Sequence, residues 1–129
     1  MDYKHDKHRV YLLNYHLIWC PKRRRPILKD KVRDRLVQII KDKANQIGVD
    51  IIALEVMPDH IHLFVSAYPL MAVDKIIKEF KGISSRILRK EFPHLLKLPS
   101  LWTHSYFVST AGNISNETIK KYIETQSKK

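Results

Sequence analysis

The sequence predicts an α+β fold of the ferredoxin-like type, β-α-β-β-α-β, with an antiparallel sheet, two helices on one of its faces and a further C-terminal helix. Three observations carry this. Short stretches rich in β-branched and aromatic residues alternate with two long stretches in which apolar residues recur with helical period. Turn and stop signals fall between them: Pro21, Gly48, Pro58-Asp59 and Gly112. The chain has 129 residues, 44% of them hydrophobic, and shows no repeat, low-complexity tract or shift in composition, so 1–129 reads as one domain around one core.

Residues 1–9 are polar and charged and read as a flexible arm. From Val10 to Cys20, the series Tyr11, Leu13, Tyr15, Leu17 and Trp19 alternates with Asn14, His16 and Ile18, the pattern of a strand. The aromatics of that series are expected in the core, and His16 is expected to be structural. Pro21 ends the strand, and Lys22-Arg23-Arg24-Arg25 follows as a basic loop. Between Asp30 and Ile47, Val32, Leu36, Ile39, Ile40 and Ile47 share one helical face, and Gly48 supplies the left-handed stop. Ile51 to Met57 and His60 to Ser66 read as a hairpin about Pro58-Asp59. A tight turn there would set Met57 against His60 and Glu55 against His62. A longer loop is the alternative, since Pro-Asp favours type I geometry. Val73 to Phe92 is the second long helix, with Ile76, Ile77, Phe80 and Leu88 at core spacing and lysines and arginines elsewhere. A fourth strand is centred on Tyr106-Phe107-Val108. Ala111-Gly112-Asn113 then links to a helix capped by Ser115 and ending near Gln126, so 113–129 is expected to be a mobile helix and tail.

Charge narrows the partners. Twenty-four Lys and Arg against 13 Asp and Glu give +11, with an isoelectric point near 9.8. A small domain so basic commonly meets a polyanion, because each neutralised phosphate releases condensed counterions. No apolar run approaches the ~20 residues needed to span a bilayer, so no membrane partner is expected. No basic-then-apolar leader opens the sequence, and a single cysteine, Cys20, leaves no intrachain disulfide. A cytoplasmic protein with a polyanionic partner is therefore expected.

Two constellations carry chemistry. His60-Ile61-His62 places two imidazoles on one face of a strand, half of a metal site. With seven histidines in the chain, such a pair also arises by chance, and a structural reading stays open. Tyr122 and Gln126 are neighbours on one helix face at i and i+4. Together with Ile119 and Ile123 they also form a docking stripe, so Tyr122 as a packing residue stays open too. The glutamine is harder to explain that way, because a buried amide needs partners and a metal ion would supply one for its oxygen. Two imidazoles and an amide oxygen leave coordination positions open for a Lewis acid beside a phosphoryl oxygen, with a tyrosine at hand to attack phosphorus. Imidazoles favour Zn²⁺ or Mn²⁺ over Mg²⁺ on ligand type alone. Glu55 is either a carboxylate orienting a metal-bound imidazole or a surface glutamate. Cys20 has no basic partner by spacing and is a poor nucleophile.

The stretches Tyr15-His16-Leu17-Ile18-Trp19-Cys20-Pro21-Lys22, Glu55 to His62, Lys81 to Ser85, Leu101-Trp102, Tyr106 to Val108 and Tyr122-Ile123-Glu124-Thr125-Gln126 run from about residue 10 to about residue 126. In that order they resemble the single-tyrosine HUH transposases of insertion-sequence-200-like (200/605) elements. The resemblance implies that Tyr122 is the nucleophile and that His60, His62 and Gln126 hold Mg²⁺ or Mn²⁺. It also implies a homodimer, with active sites that can be shared in trans, binding hairpins in single-stranded DNA. Cleavage through a 5′-phosphotyrosine is implied as well. Lys22, Arg23, Arg24 and Arg25 are candidate DNA contacts. The alternatives are a domesticated relative acting on repeated palindromes of its host and a noncatalytic RNA-recognition-type module. Against the module, Tyr106-Phe107-Val108 lacks that module's signature start.

Overall fold

Alternation along the strands and helical period between them build one sheet with two differently used faces. The structure is a computed structural model that describes residues 13–69, 71–110 and 116–126. Its elements are β1 (Leu13–Trp19), α1 (Asp30–Ile47), β2 (Asp50–Met57), β3 (His60–Ala67), α2 (Val73–Glu91), β4 (Phe107–Ser109) and α3 (Asn116–Gln126), with 3₁₀ turns at Lys22–Arg24 and Pro93–Lys97. The strand order is β2-β3-β1-β4, and every neighbouring pair is antiparallel. This is the predicted split-βαβ arrangement.

Leu17, Trp19, Ile61, Leu63 and Val65 are fully buried and face α1 and α2. Val32, Leu36, Ile39, Ile40 and Ala44 meet them from α1, and Ile76, Ile77, Phe80 and Leu88 from α2. Gly48 adopts the left-handed conformation, φ 76°, that ends α1, and its N–H bonds to Ala44 O. Tyr15 and Trp19 lie in this core, as their alternation requires; Tyr11 and the expected cap Ser115 lie outside the described residues.

The hairpin takes the tight register: Met57 pairs with His60, Glu55 with His62 and Val56 with Ile61. A bulge between Ile51 and Ala53 sets Ile52 outward without disturbing the pairs near the turn. β4 is shorter and one residue later than its expected centre, covering Phe107–Ser109. The segment before it takes other partners. Trp102 bridges to Pro21, its indole N–H donates to Ser84 Oγ at 3.0 Å, and the Thr103 N–H donates to Cys20 O at 3.0 Å. Ser84, a polar residue on the buried face of α2, is thus satisfied, and its own hydroxyl donates to Phe80 O at 2.6 Å.

Residues alternate to the other side of the same strands. His16, Ile18, His62 and Phe64 share that face, since Ile18 pairs with His62 and His16 with Phe64. α3 docks there: Ile119, Tyr122 and Ile123 pack with Ile18, Cys20 and Phe107 in a small apolar cluster apart from the main core. Among the described residues no helix is long and apolar enough to cross a membrane.

Candidate active site

The histidine half of the site is built by neighbours in sequence. The two-residue turn at Pro58-Asp59 delivers His60 and His62 to the same face, with ring centroids 4.8 Å apart and planes at 71°. Asp59 Oδ1 accepts a hydrogen bond from His60 Nδ1 at 2.8 Å. A carboxylate only accepts, so Nδ1 carries the proton, and in the neutral ring the lone pair is left on Nε2. The other Asp59 oxygen accepts from Arg24 Nε at 2.7 Å. Burial opposes ionisation of Asp59, but the hydrogen bonds from His60 and Arg24 outweigh it and hold its carboxyl below the usual range. Burial also pushes the His62 imidazole below its ordinary range, reinforced by His60 and opposed by Glu55 across the hairpin, which favours the neutral ring. An imidazole in that state is ready to ligate a cation without first losing a proton.

Arg24 comes back to Asp59 because the chain curls sharply after Pro21. Arg23 and Arg24 both take left-handed backbone, φ 57° and 54°, which costs non-glycine residues about 1 kcal/mol or more each. The turn is fastened by Lys22 N–H to Leu101 O at 2.8 Å, and Leu28 N–H reaches Pro58 O at 3.0 Å. Of the four basic residues, Arg23 and Arg25 are exposed, Lys22 is half-buried and Arg24 is engaged by Asp59. The carboxylate that orients a site imidazole is therefore Asp59, whereas Glu55 is exposed and acts on His62 only through its charge. The signal for Asp59 lay in the sequence, immediately before His60, but only the tight turn selects it.

The tyrosine half is assembled from distant segments. Tyr122 and Gln126 share a face of α3, and both meet Ser105 in the stretch before β4. Ser105 Oγ donates to Gln126 Oε1 at 2.6 Å, and Thr103 Oγ1 approaches the same oxygen at 3.4 Å. With the serine's single proton committed there, the Tyr122 hydroxyl at 3.2 Å donates to Ser105 Oγ. The Gln126 amide nitrogen donates to Thr125 Oγ1 at 2.9 Å and to Tyr122 O at 3.2 Å. The glutamine side chain is almost wholly buried and fully partnered. Burial pushes the Tyr122 phenol up to about 12, and Cys20 adds to the rise.

The two halves occupy the same sheet face, linked by Ile18 and Cys20. Among the described residues, no hydrogen bond joins Tyr122 or Gln126 to His60 or His62. Cys20 is buried between them, its thiol pushed up to about 12 by burial and by Asp59, so it is no nucleophile. His16 lies on this face as well, 4.6 Å from the Phe64 ring. The contacts of Ser105 and Thr103 were not foreseen from sequence, and Lys81, read there as a surface residue of α2 within one of the matching stretches, instead turns inward and donates to Thr103 O at 2.6 Å. Their contacts follow the path of an irregular segment, which no residue period encodes.

The family profile described as "Transposase IS200 like" matches residues 9–126. The chain is 40% identical over 129 residues to the ISDra2 transposase TnpA of Deinococcus radiodurans, covering 98% of this chain and 92% of that protein. It is 29% identical over 128 residues to the transposase for insertion sequence element IS200 of Salmonella typhimurium, covering 97% and 84% respectively. A crystal structure from D. radiodurans R1 of a protein assigned as a transposase superposes with a TM-score of 0.88 at 42% identity, covering 95% of this chain and 97% of the other. The fold is shared with a REP-associated tyrosine transposase solved with a REP hairpin, at a TM-score of 0.56 and 16% identity over 93% of this chain and 69% of that one. A family match spanning nearly the whole chain, with a close curated relative of the same length class, settles the membership: this chain belongs to the IS200-like transposases.

Proposed function

We propose that this transposase cleaves and rejoins single-stranded DNA at hairpin-bearing element ends, with Tyr122 as nucleophile. The observation that carries the reading is the pairing of His60 and His62, braced by Asp59 and Arg24, on the sheet face where α3 presents Tyr122. Tyr122 Oη forms a bond to the scissile phosphorus while the bond from phosphorus to the 3′-oxygen breaks. The phenolic proton passes to solvent and the departing 3′-oxygen takes one up. A 5′-phosphotyrosine and a free 3′-hydroxyl result, and attack by such a hydroxyl reverses the step and seals a new joint.

The residues present fit a divalent cation, Mg²⁺ or Mn²⁺: His60 is held with Nε2 free, burial favours the neutral form of His62, and the Gln126 amide oxygen, which accepts from Ser105 and Thr103, is a donor that would exchange those bonds for the ion. These three residues would hold it. When bound, the ion supplies Lewis-acid polarisation of a phosphoryl oxygen and stabilises developing negative charge. Ser105 and Thr103 share the Gln126 oxygen and keep α3 docked. The exposed Arg23 and Arg25, with the half-buried Lys22, would take backbone phosphates, while Arg24 would serve through Asp59.

Incubation with a labelled single strand carrying the hairpin of the element's end, plus Mn²⁺, is expected to give an adduct that survives denaturing electrophoresis. Tyr122→Phe should abolish the adduct and His60→Ala should abolish it while hairpin binding persists. An adduct formed by Tyr122→Phe would remove Tyr122 from the nucleophile's role.

A second reading concerns assembly. Within one chain the Gln126 oxygen accepts from Ser105 Oγ, and the resemblance to the family adds a homodimer in which the tyrosine helix of one subunit serves the histidines of its partner. Mixing the Tyr122→Phe and His60→Ala proteins should then restore cleavage. Absence of rescue in a mixture that does form heterodimers would assign the site to one chain.

A further inference from the structure

Lys81 lies mid-way along α2 with its ammonium turned inward. It donates to the carbonyl oxygens of three successive residues, Thr103 at 2.6 Å, His104 at 3.3 Å and Ser105 at 3.3 Å. Among the described residues no carboxylate is paired with it. A partly buried cation without an anion is costly, and a methionine would fill the same space more cheaply. What the lysine adds is a three-point attachment of one irregular segment to a helix. An ammonium has three N–H donors, and all three are used.

The far side of that segment faces α3. Ser105 Oγ is the node shared by Gln126 Oε1 and Tyr122 Oη, and Thr103 Oγ1 supports the same amide oxygen. Backbone carbonyls thus point to Lys81 while side-chain hydroxyls point to the reactive helix. A displacement of the segment moves both site residues together. We infer that Lys81 is a positioning residue for strand cleavage: by fastening residues 103–105 to α2, it fixes where Ser105 holds the nucleophile and the amide oxygen. The inference rests on Tyr122 being the nucleophile, although its effect on α3 does not.

Titration offers a readout that a mere packing role would not move. Burial brings the Lys81 ammonium down to about 8, partly offset by Cys20. The groups facing it are Cys20 from the end of β1, His104 and Tyr106 from the segment itself, and Tyr122 of α3 beyond Ser105. Cys20 and Tyr122, both pushed up to about 12, stay neutral between pH 7 and 9. A neutral amine has two hydrogens for three carbonyls, so the attachment loosens as pH rises through the Lys81 value. An arginine stays charged throughout.

The test uses the full chain, the labelled hairpin-bearing single strand and Mn²⁺, with single-turnover adduct formation as one readout. Amide hydrogen exchange of residues 116–126 in the free protein is the other. Folded Lys81→Met is expected to slow adduct formation about 10²-fold, the scale set by an ångström of misplacement. It should also speed exchange in α3, with hairpin affinity unchanged. The ratio of wild-type to Lys81→Arg rates should fall between pH 7 and 9. Unchanged adduct formation and unchanged α3 exchange in Lys81→Met would overturn the inference. Should that variant fail to fold, Ser105→Ala decides, since it removes the node without touching α2: faster α3 exchange supports the attachment and unaltered exchange refutes it. If instead Tyr122→Phe still forms an adduct, the nucleophile reading fails, and α3 exchange in Lys81→Met still judges the attachment separately.

Discussion

The two faces of the sheet are made from alternate residues of the same strands, yet they are built on different terms. On the helix side Leu17, Trp19, Ile61, Leu63 and Val65 meet α1 and α2 in one continuous apolar core. On the other side His16, Ile18, His62 and Phe64 leave a surface covered in part by α3, an 11-residue helix resting on a small cluster. The period of two lets one strand serve stability and chemistry without either constraining the other. The consequence is an uneven distribution of stability. The histidine pair inherits the rigidity of a hairpin whose reverse side is core, whereas the tyrosine rides on a helix too short to persist undocked.

That contrast can be broken by substitution. Trp19→Ala should destabilise the whole domain by about 3–5 kcal/mol in urea unfolding, as expected for a buried tryptophan. Ile123→Ala should free α3 to amide exchange with a far smaller loss of global stability. Equal losses from the two would mean that α3 belongs to the same cooperative unit as the core. A smaller effect sharpens the hairpin side of the comparison. Asp59→Asn should weaken Mn²⁺ binding in calorimetry about 10- to 100-fold, the usual effect of removing the partner of a ligating imidazole. Folding should be little changed. Undiminished Mn²⁺ affinity would show that the hairpin alone orients His60.

Much of the helix side was legible in the sequence because burial imposes a period. Val32, Leu36, Ile39 and Ile40 announce α1 and Gly48 its end, and the alternation from Tyr15 to Trp19 marks the buried side of β1. The histidine pair was legible for the same reason, and its register followed once the Pro58-Asp59 turn proved tight. The rest was hidden where backbone, and not side-chain pattern, makes the contacts. Arg24 reads as one more base in a run of four until two left-handed residues turn it onto Asp59. Ser105 and Thr103 sit in a segment with no period, and Lys81 binds its carbonyl oxygens, which every residue type possesses.

Cys20, the chain's sole thiol, lies sealed beneath Ile119, Tyr122 and Ile123 and is almost entirely protonated. A thiol reagent therefore finds it only in molecules whose last helix has lifted away. The protein carries its own stopwatch for that motion, and labelling with and without DNA would time how often the tyrosine leaves its berth.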